Sequence, residues 1–294
     1  MRLTSTRILR NFALVRAVAL ACALALPAVP ASAQQRPLVT EDPEVVGAGR
    51  VLLEGGIDYN LDILFPASGL TGNLLRAPLI GVSVGLSSIA ELQIDGGLFN
   101  SLSVTDRRDA PLSGMLDFTG DSTSDVEDVV VATKVRILAE GATRPAIGVR
   151  FATKLPNASN ENGIGLDTTD FYASFLLGKT VQSVRLVGNA GLGILGDPTR
   201  GDRQGDVLQY GFSVARAVRQ GFEIVGEING RYQPSDDVTA PPGSDSRAAM
   251  RVGARVTQKT VRIDGGIILG MTSRDPSFGF TAGLTWVFRG YTVP

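Results

Sequence analysis

The chain has 294 residues, of which 19% are charged and 35 are glycine, with 28 Lys+Arg set against 29 Asp+Glu and no histidine. Low charge and high glycine exclude a disordered chain, and the near-neutral, slightly acidic balance excludes nonspecific nucleic-acid binding. No internal stretch approaches the roughly 18 consecutive apolar residues of a transmembrane helix.

The first 33 residues differ from the rest. Arg2, Arg7, Arg10 and Arg16 form a basic start, Ala17 to Leu26 an apolar run, and Ala31 and Ala33 the small-residue positions of a cleavage site. This pattern predicts a signal peptide over 1–33, removed to leave Gln34 first. Cys22, the single cysteine, lies inside it, and Leu20 and Arg16 argue against a lipid-modified cysteine there. The mature chain then carries neither disulfides nor thiol chemistry. Losing four arginines and no acid leaves 24 basic against 29 acidic residues, a balance of −5.

Residues 34–48, "QQRPLVTEDPEVVGA", are polar with two prolines and read as an unpacked periplasmic leader. From Gly49 the chain breaks into strand-like segments bounded by turn residues, near 49–61, 76–86, 89–100, 127–139, 144–155, 169–179, 181–194, 206–217, 220–232, 246–257, 259–270 and 277–288. No helix-period segment interrupts them. The connections alternate. Long ones are expected near 62–75, 101–126, 156–168, 195–205, 233–245 and 271–276, and tight ones at 87–88, 140–143, 179–180, 218–219 and 258. Short turns at one end, long loops at the other and an even strand number are the signature of an outer-membrane barrel.

Alternation along the strands gives each two unlike faces. In the last, Phe278, Phe280, Ala282, Leu284, Trp286 and Phe288 alternate with small or polar residues, Val287 being the one apolar exception. Val129, Val131, Val135 and Ile137 alternate with Asp128, Ala132, Lys134 and Arg136; Ile147, Val149 and Phe151 with Gly148, Arg150 and Lys154. Phe222, Ile224 and Ile228 alternate with Glu223, Glu227 and Arg231, and Met250, Val252, Ala254 and Val256 with Arg251, Gly253 and Arg255. The fold class is therefore all-β: a single antiparallel up-and-down transmembrane β-barrel of about 12 strands over 49–288, with a short tail over 289–294. Apolar faces meet lipid and polar faces line the lumen. Trp286, Phe288 and Phe222 are placed near the inner interface, and Tyr59, Phe171, Tyr210, Tyr232 and Phe278 near the outer one.

Two stretches, "VEDVVVATKVRIL" (126–138) and "FATKLPNASNENGIGLDTTDFYASFLLGK" (151–179), resemble the family named for the MetA pathway of phenol degradation, a group of transporter-like outer-membrane barrels. The matching positions are Asp128, Lys134 and Arg136, then Lys154, Leu155, Pro156, Gly163, Gly165, Thr169 and Asp170. The resemblance implies an outer-membrane location, a link to aromatic catabolism and no catalytic residues. Such barrels commonly end on an aromatic residue read by the barrel-assembly machinery, an expected partner; this chain continues past Phe288 with "RGYTVP".

Without histidine, Ser-His-Asp and Cys-His catalysis and the usual zinc sites are absent. The carboxylate pairs Glu54/Asp58, Glu91/Asp95 and Glu223/Glu227 sit about 13 Å apart along their strands, too far for paired acid–base work on one strand. "GLGILG" (191–196) matches a dinucleotide fingerprint but precedes a loop, not a helix. The acidic stretch 117–128 reads as a solvated outer loop, with a bridging calcium as the alternative. No enzyme, cofactor or metal is expected. The functional lead is the lumen: Lys134, Arg136, Arg150, Lys154 and Arg185 as one basic wall, Arg251, Arg255 and Arg262 as a second, with Glu54, Asp58, Glu91, Asp95, Asp128, Glu223 and Glu227 as inward acids. Opposed walls would orient solutes in a transverse field; the alternative is that the charges pair and brace the lumen. The reading is a passive outer-membrane channel for small solutes, small organic or aromatic anions among them, in contact with outer-membrane lipid and of undetermined oligomeric state. The alternatives are a structural or adhesion barrel acting through its long loops, and an exported soluble β-protein with an apolar cavity.

Overall fold

A computed structural model describes residues 36–235 and 240–292. The expected signal peptide over 1–33, with Cys22, lies outside them. Fourteen strand segments follow in order: β1 (Arg50–Phe65), β2 (Leu70–Gly85), β3 (Ala90–Gly97), β4 (Asn100–Arg107), β5 (Ser122–Asp125), β6 (Val130–Leu138), β7 (Ala146–Lys154), β8 (Asp170–Val181), β9 (Val184–Gly196), β10 (Gln204–Arg219), β11 (Phe222–Tyr232), β12 (Arg247–Gln258), β13 (Val261–Gly270) and β14 (Phe278–Arg289). β3 and β4 together run antiparallel to β2, and β5 and β6 together run antiparallel to them, so each couple is one stave. Twelve antiparallel staves result. β1 closes the sheet on β14 from Arg50↔Arg289 to Leu61↔Phe278, leaving no edge.

The faces follow the alternation. Ile263 is 61% exposed, Phe212 53% and Leu284 47%. Phe151, Phe175, Leu192, Ile224, Val256 and Phe280 are exposed as well, while the residues between them are buried or half-buried. A wall apolar outside and polar inside suits lipid and removes the soluble alternative with an apolar cavity. Tyr59, Phe171, Tyr210 and Tyr232 are exposed toward the long-loop end and Trp286 toward the other, with Trp286 lying against Phe288 at 4.4 Å between ring centroids.

Two expectations are corrected. The stretch 62–75 is mostly strand: β1 and β2 pair out to Phe65↔Leu70, and only 66–69 turns. The stave after it likewise runs on to Arg107, so the expected 101–126 loop shrinks to 108–121. The β3/β4 break at 98–99 lies opposite Ala77 and Pro78. Proline has no N–H to donate to the ladder, but its carbonyl still accepts from Leu98 N at 3.0 Å, and Ala77 N reaches Phe99 O at 2.9 Å. β14 itself extends to Arg289, and the tail then folds back on the short-turn rim, where the Tyr291 hydroxyl donates to Gly85 O at 2.6 Å.

Candidate functional site

Residues 36–48 are no unpacked leader. They lie along the inner wall as a segment most of whose backbone and charged groups named below bond to residues of the barrel. Arg36 donates to Thr281 Oγ1 and Ala282 O, both at 2.9 Å, and lies 3.7 Å from Asp58 and 3.6 Å from Asp264. The Val39 and Thr40 amides donate to the Glu227 carboxylate, each at 2.8 Å. Asn189 accepts from Glu41 N at 2.6 Å and donates to Glu41 O at 2.7 Å. Val46 N donates to Glu91 Oε2 at 2.6 Å. A backbone without helix or sheet partners must find side chains or water, and the inward polar residues of β3, β9 and β11 serve that need.

Small residues make the room. A side chain at Gly283 would strike the Arg36 guanidinium, one at Gly211 would meet Thr40 and one at Gly178 would meet Pro43. Apolar contacts complete the fit: Leu38 packs with Ala215 and Val225, and Val46 with Leu52 and Val287. Val287, the apolar exception on its face, is thus an inward residue covered by the segment.

The segment's acids pair with four of the five bases of the first basic wall, Lys134, Arg136, Arg150 and Arg185. Lys134 and Arg150 are directly opposite in the β6–β7 register, a like-charge pairing that is unfavourable alone. Glu41 sits between them, Oε2 3.2 Å from Lys134 Nζ and Oε1 3.0 Å from Arg150 Nε. Glu91 lies 3.0 Å from the same ammonium, and Asp95 is 3.8 Å from Arg150. Asp42 takes Arg185 with two hydrogen bonds, at 2.6 and 2.8 Å, and Glu140 takes its remaining side at 2.6 Å. Glu44 pairs with Arg136. Glu140 is on the short-turn rim; burial works against its charged form, but the Thr180 amide, Lys179 and Arg185 together hold its carboxyl below the ordinary glutamate value.

The other inward residues pair within the wall. Lys154 lies 3.0 Å from both Asp128 and Asp170. Arg255 meets Glu223 at 2.6 Å across the strand pair, with Arg262 at 3.7 Å from the same carboxylate, and Arg251 lies 3.5 Å from Glu227. Glu54 accepts from Thr285 at 3.1 Å, and Asp58 also lies 3.7 Å from Arg76. With the segment in place the residues expected to form basic walls are compensated pairs, not bare charges. What sequence reasoning missed is Glu41, Asp42 and Glu44, whose acidic run beside the prolines was the available signal. "GLGILG" is part of β9. In the acidic stretch, Asp125 and Asp128 accept backbone amides of 157–159 and so hold the 155–169 loop.

No protein-family model matches the chain, and no curated protein matches it in sequence. Solved structures do. The COG4313 outer membrane channel from Pseudomonas putida F1 is similar with a TM-score of 0.60 at 16% identity, over 84% of this chain and 98% of that one. The translocator domain of the autotransporter NalP from Neisseria meningitidis is similar with a TM-score of 0.50 at 12% identity, over 82% and 89%. At these identities the likeness is one of fold: a transmembrane barrel of the outer-membrane type.

Proposed function

We propose that the chain is a passive outer-membrane channel for small organic solutes, and that residues 36–48 are the element that must move for solute to pass. One observation carries this reading: the bore holds an extended polypeptide segment in addition to its own wall side chains. A lumen of that width would admit small solutes once the segment is displaced. The fold it shares with the P. putida channel supports the same reading. Displacement would also uncover charge. Without Glu41, Asp42 and Glu44, Arg136 loses its carboxylate while Arg150 and Arg185 each lose one of two and keep Asp95 and Glu140, and low-dielectric walls focus the field of the charge so uncovered. The anion preference expected from sequence is thereby assigned to the displaced state alone.

The test is a lock. The Cβ of Thr40 lies 3.5 Å from the position of a Cβ at Gly211, at the short end of the about 3.5–4.5 Å that a disulfide spans. Thr40→Cys/Gly211→Cys should bridge under oxidation, with Cys22→Ser added so that no other thiol competes. In planar bilayers the oxidised protein should conduct at most a small fraction of what the reduced protein conducts, and the reduced protein should show an anion-selective reversal potential under a salt gradient. Equal conductance in both states would mean the segment is not the moving element. Silence of the wild-type barrel under all conditions would sink the channel and favour the adhesion reading.

Orientation has its own expected result. The loops at 108–121, 155–169 and 233–246 share one end of the barrel, and the turns at 86–89, 182–183, 220–221 and 259–260 the other. An epitope inserted after Gly114 should be labelled on intact cells, and one after Gly141 should not. Labelling at Gly141 would invert the barrel.

A further inference from the structure

Toward the long-loop mouth the barrel encloses a cavity of about 280 Å³ that none of residues 36–48 lines. Its wall includes Phe65, Lys154, Asp170, Leu166, Tyr172, Arg231 and Arg247, Asp170 being engaged by Lys154 and Tyr172. Arg231 and Arg247 are directly opposite in the β11–β12 register. Two like charges so placed repel. Deeper in the barrel the same conflict, between Lys134 and Arg150, is resolved by Glu41.

At the mouth the described residues offer no such direct partner: none of their carboxylates comes within 4.0 Å of either guanidinium. The neighbouring acids are engaged elsewhere. Asp170 binds Lys154 and accepts from Tyr172, Asp245 lies 3.2 Å from Arg274, and Asp275 accepts from Thr272 and Ala248 N. Both arginines are instead held by neutral carbonyls, Arg231 by Asp245 O and Gly243 O, and Arg247 by Arg274 O at 3.0 Å and Leu64 O at 2.9 Å. Those bonds orient each guanidinium plane, and among the described residues Asp170, Asp245 and Asp275 act on the pair only from beyond 4.0 Å. Each spends two of its five N–H donors in this way.

We propose that this cavity binds a small organic carboxylate, the carboxylate taken by Arg231 and Arg247 and the apolar body lying against Phe65, Leu166 and the Tyr172 ring. Guanidinium forks match a carboxylate in geometry and charge. The volume is at the small end of the roughly 300–1,000 Å³ of small-molecule pockets, which suits a single ring or a short chain. The apolar wall is what distinguishes such a ligand from an inorganic anion. As a station where solute is taken up before the segment yields, the site rests on the channel reading; as a binding site it does not.

The experiment is calorimetry on the purified barrel in detergent with benzoate, its neutral counterpart benzyl alcohol, and inorganic phosphate. Benzoate should bind saturably at one site, and the other two about tenfold or more weaker, because each lacks one half of the recognition. Arg231→Gln and Arg247→Gln should each weaken benzoate by about tenfold or more, and Arg200→Gln, in an exposed loop, should leave it unchanged. Heat-modifiable mobility reports whether each variant is assembled, and the ligand series on the wild-type protein decides the matter even if one is not. Absence of saturable benzoate binding overturns the site. So does benzyl alcohol or phosphate binding as tightly as benzoate, or assembled arginine variants that bind like wild type. A barrel that binds benzoate but never conducts fails as a channel and keeps its site; one that conducts without binding benzoate does the reverse.

Discussion

Lys134→Met should destabilise the barrel by about 3–5 kcal/mol, the usual cost of leaving a buried charge without its partner. The Lys134 side chain has no solvent exposure, and its ammonium is shared by Glu91 and Glu41 at 3.0 and 3.2 Å. Methionine fills similar space but leaves the equally buried Glu91 carboxylate with only the Val46 amide and Gln93 as donors. Glu41 keeps Arg150, so the segment stays anchored and the loss is one of wall stability. Removing both charges with Lys134→Met/Glu91→Leu should recover part of the loss, because a buried pair replaced by apolar groups is often close to neutral. Urea unfolding of the vesicle-inserted protein measures both. A single-variant loss under about 1 kcal/mol, or a double variant worse than the single, would mean the pair is not what holds this part of the wall.

The second large effect is on the outer face. Arginine on a lipid-facing position costs about 2–4 kcal/mol near the bilayer midplane and about 0–1 near the interfaces. Along β14, Phe280, Ala282, Leu284 and Trp286 all face outward. Substituted one at a time by arginine, they should give a profile that peaks at Ala282 and Leu284 and declines toward either rim. The same unfolding equilibrium reads it. A flat profile would place the strand outside the hydrocarbon. Thr285 makes no mild inward comparison: it is fully buried and bonded to Glu54, so Thr285→Arg would be overpacked as well as charged.

The outer face was legible because lipid imposes one rule on every stave, and period two carries that rule locally. Strand ends were less so. "DILFPASGLTGNLL" is rich in turn-forming residues, yet only Pro66–Gly69 turns, because the pairing of Phe65 with Leu70 continues the ladder above the expected rim. On the inner face alternation named charged residues, but not the partners that the structure gives them. Whether Arg136 is a bare charge depends on Glu44, 92 positions away, and nothing local says that a polar, proline-containing stretch folds back through the sheet it precedes. Arg231 and Arg247 escaped for a related reason. Alternation placed Arg231 inward, but that the nearby Asp170 and Asp245 spend their carboxylates on Lys154 and Arg274 depends on loops and strands far apart in sequence.

The fit between segment and wall also constrains how the chain can change over generations. Asp42 with Arg185, Glu44 with Arg136 and Glu41 with Lys134 and Arg150 are joint specifications written in distant parts of one gene. Reversing the charge at one member is harmful until the other follows, whereas lipid-facing positions can exchange one apolar residue for another independently. Among related chains, positions 42 and 185 should therefore change together while 263 and 284 drift. A relative that keeps a base at 185 with no acid at either 42 or 140 would break the rule and would need its segment seated differently.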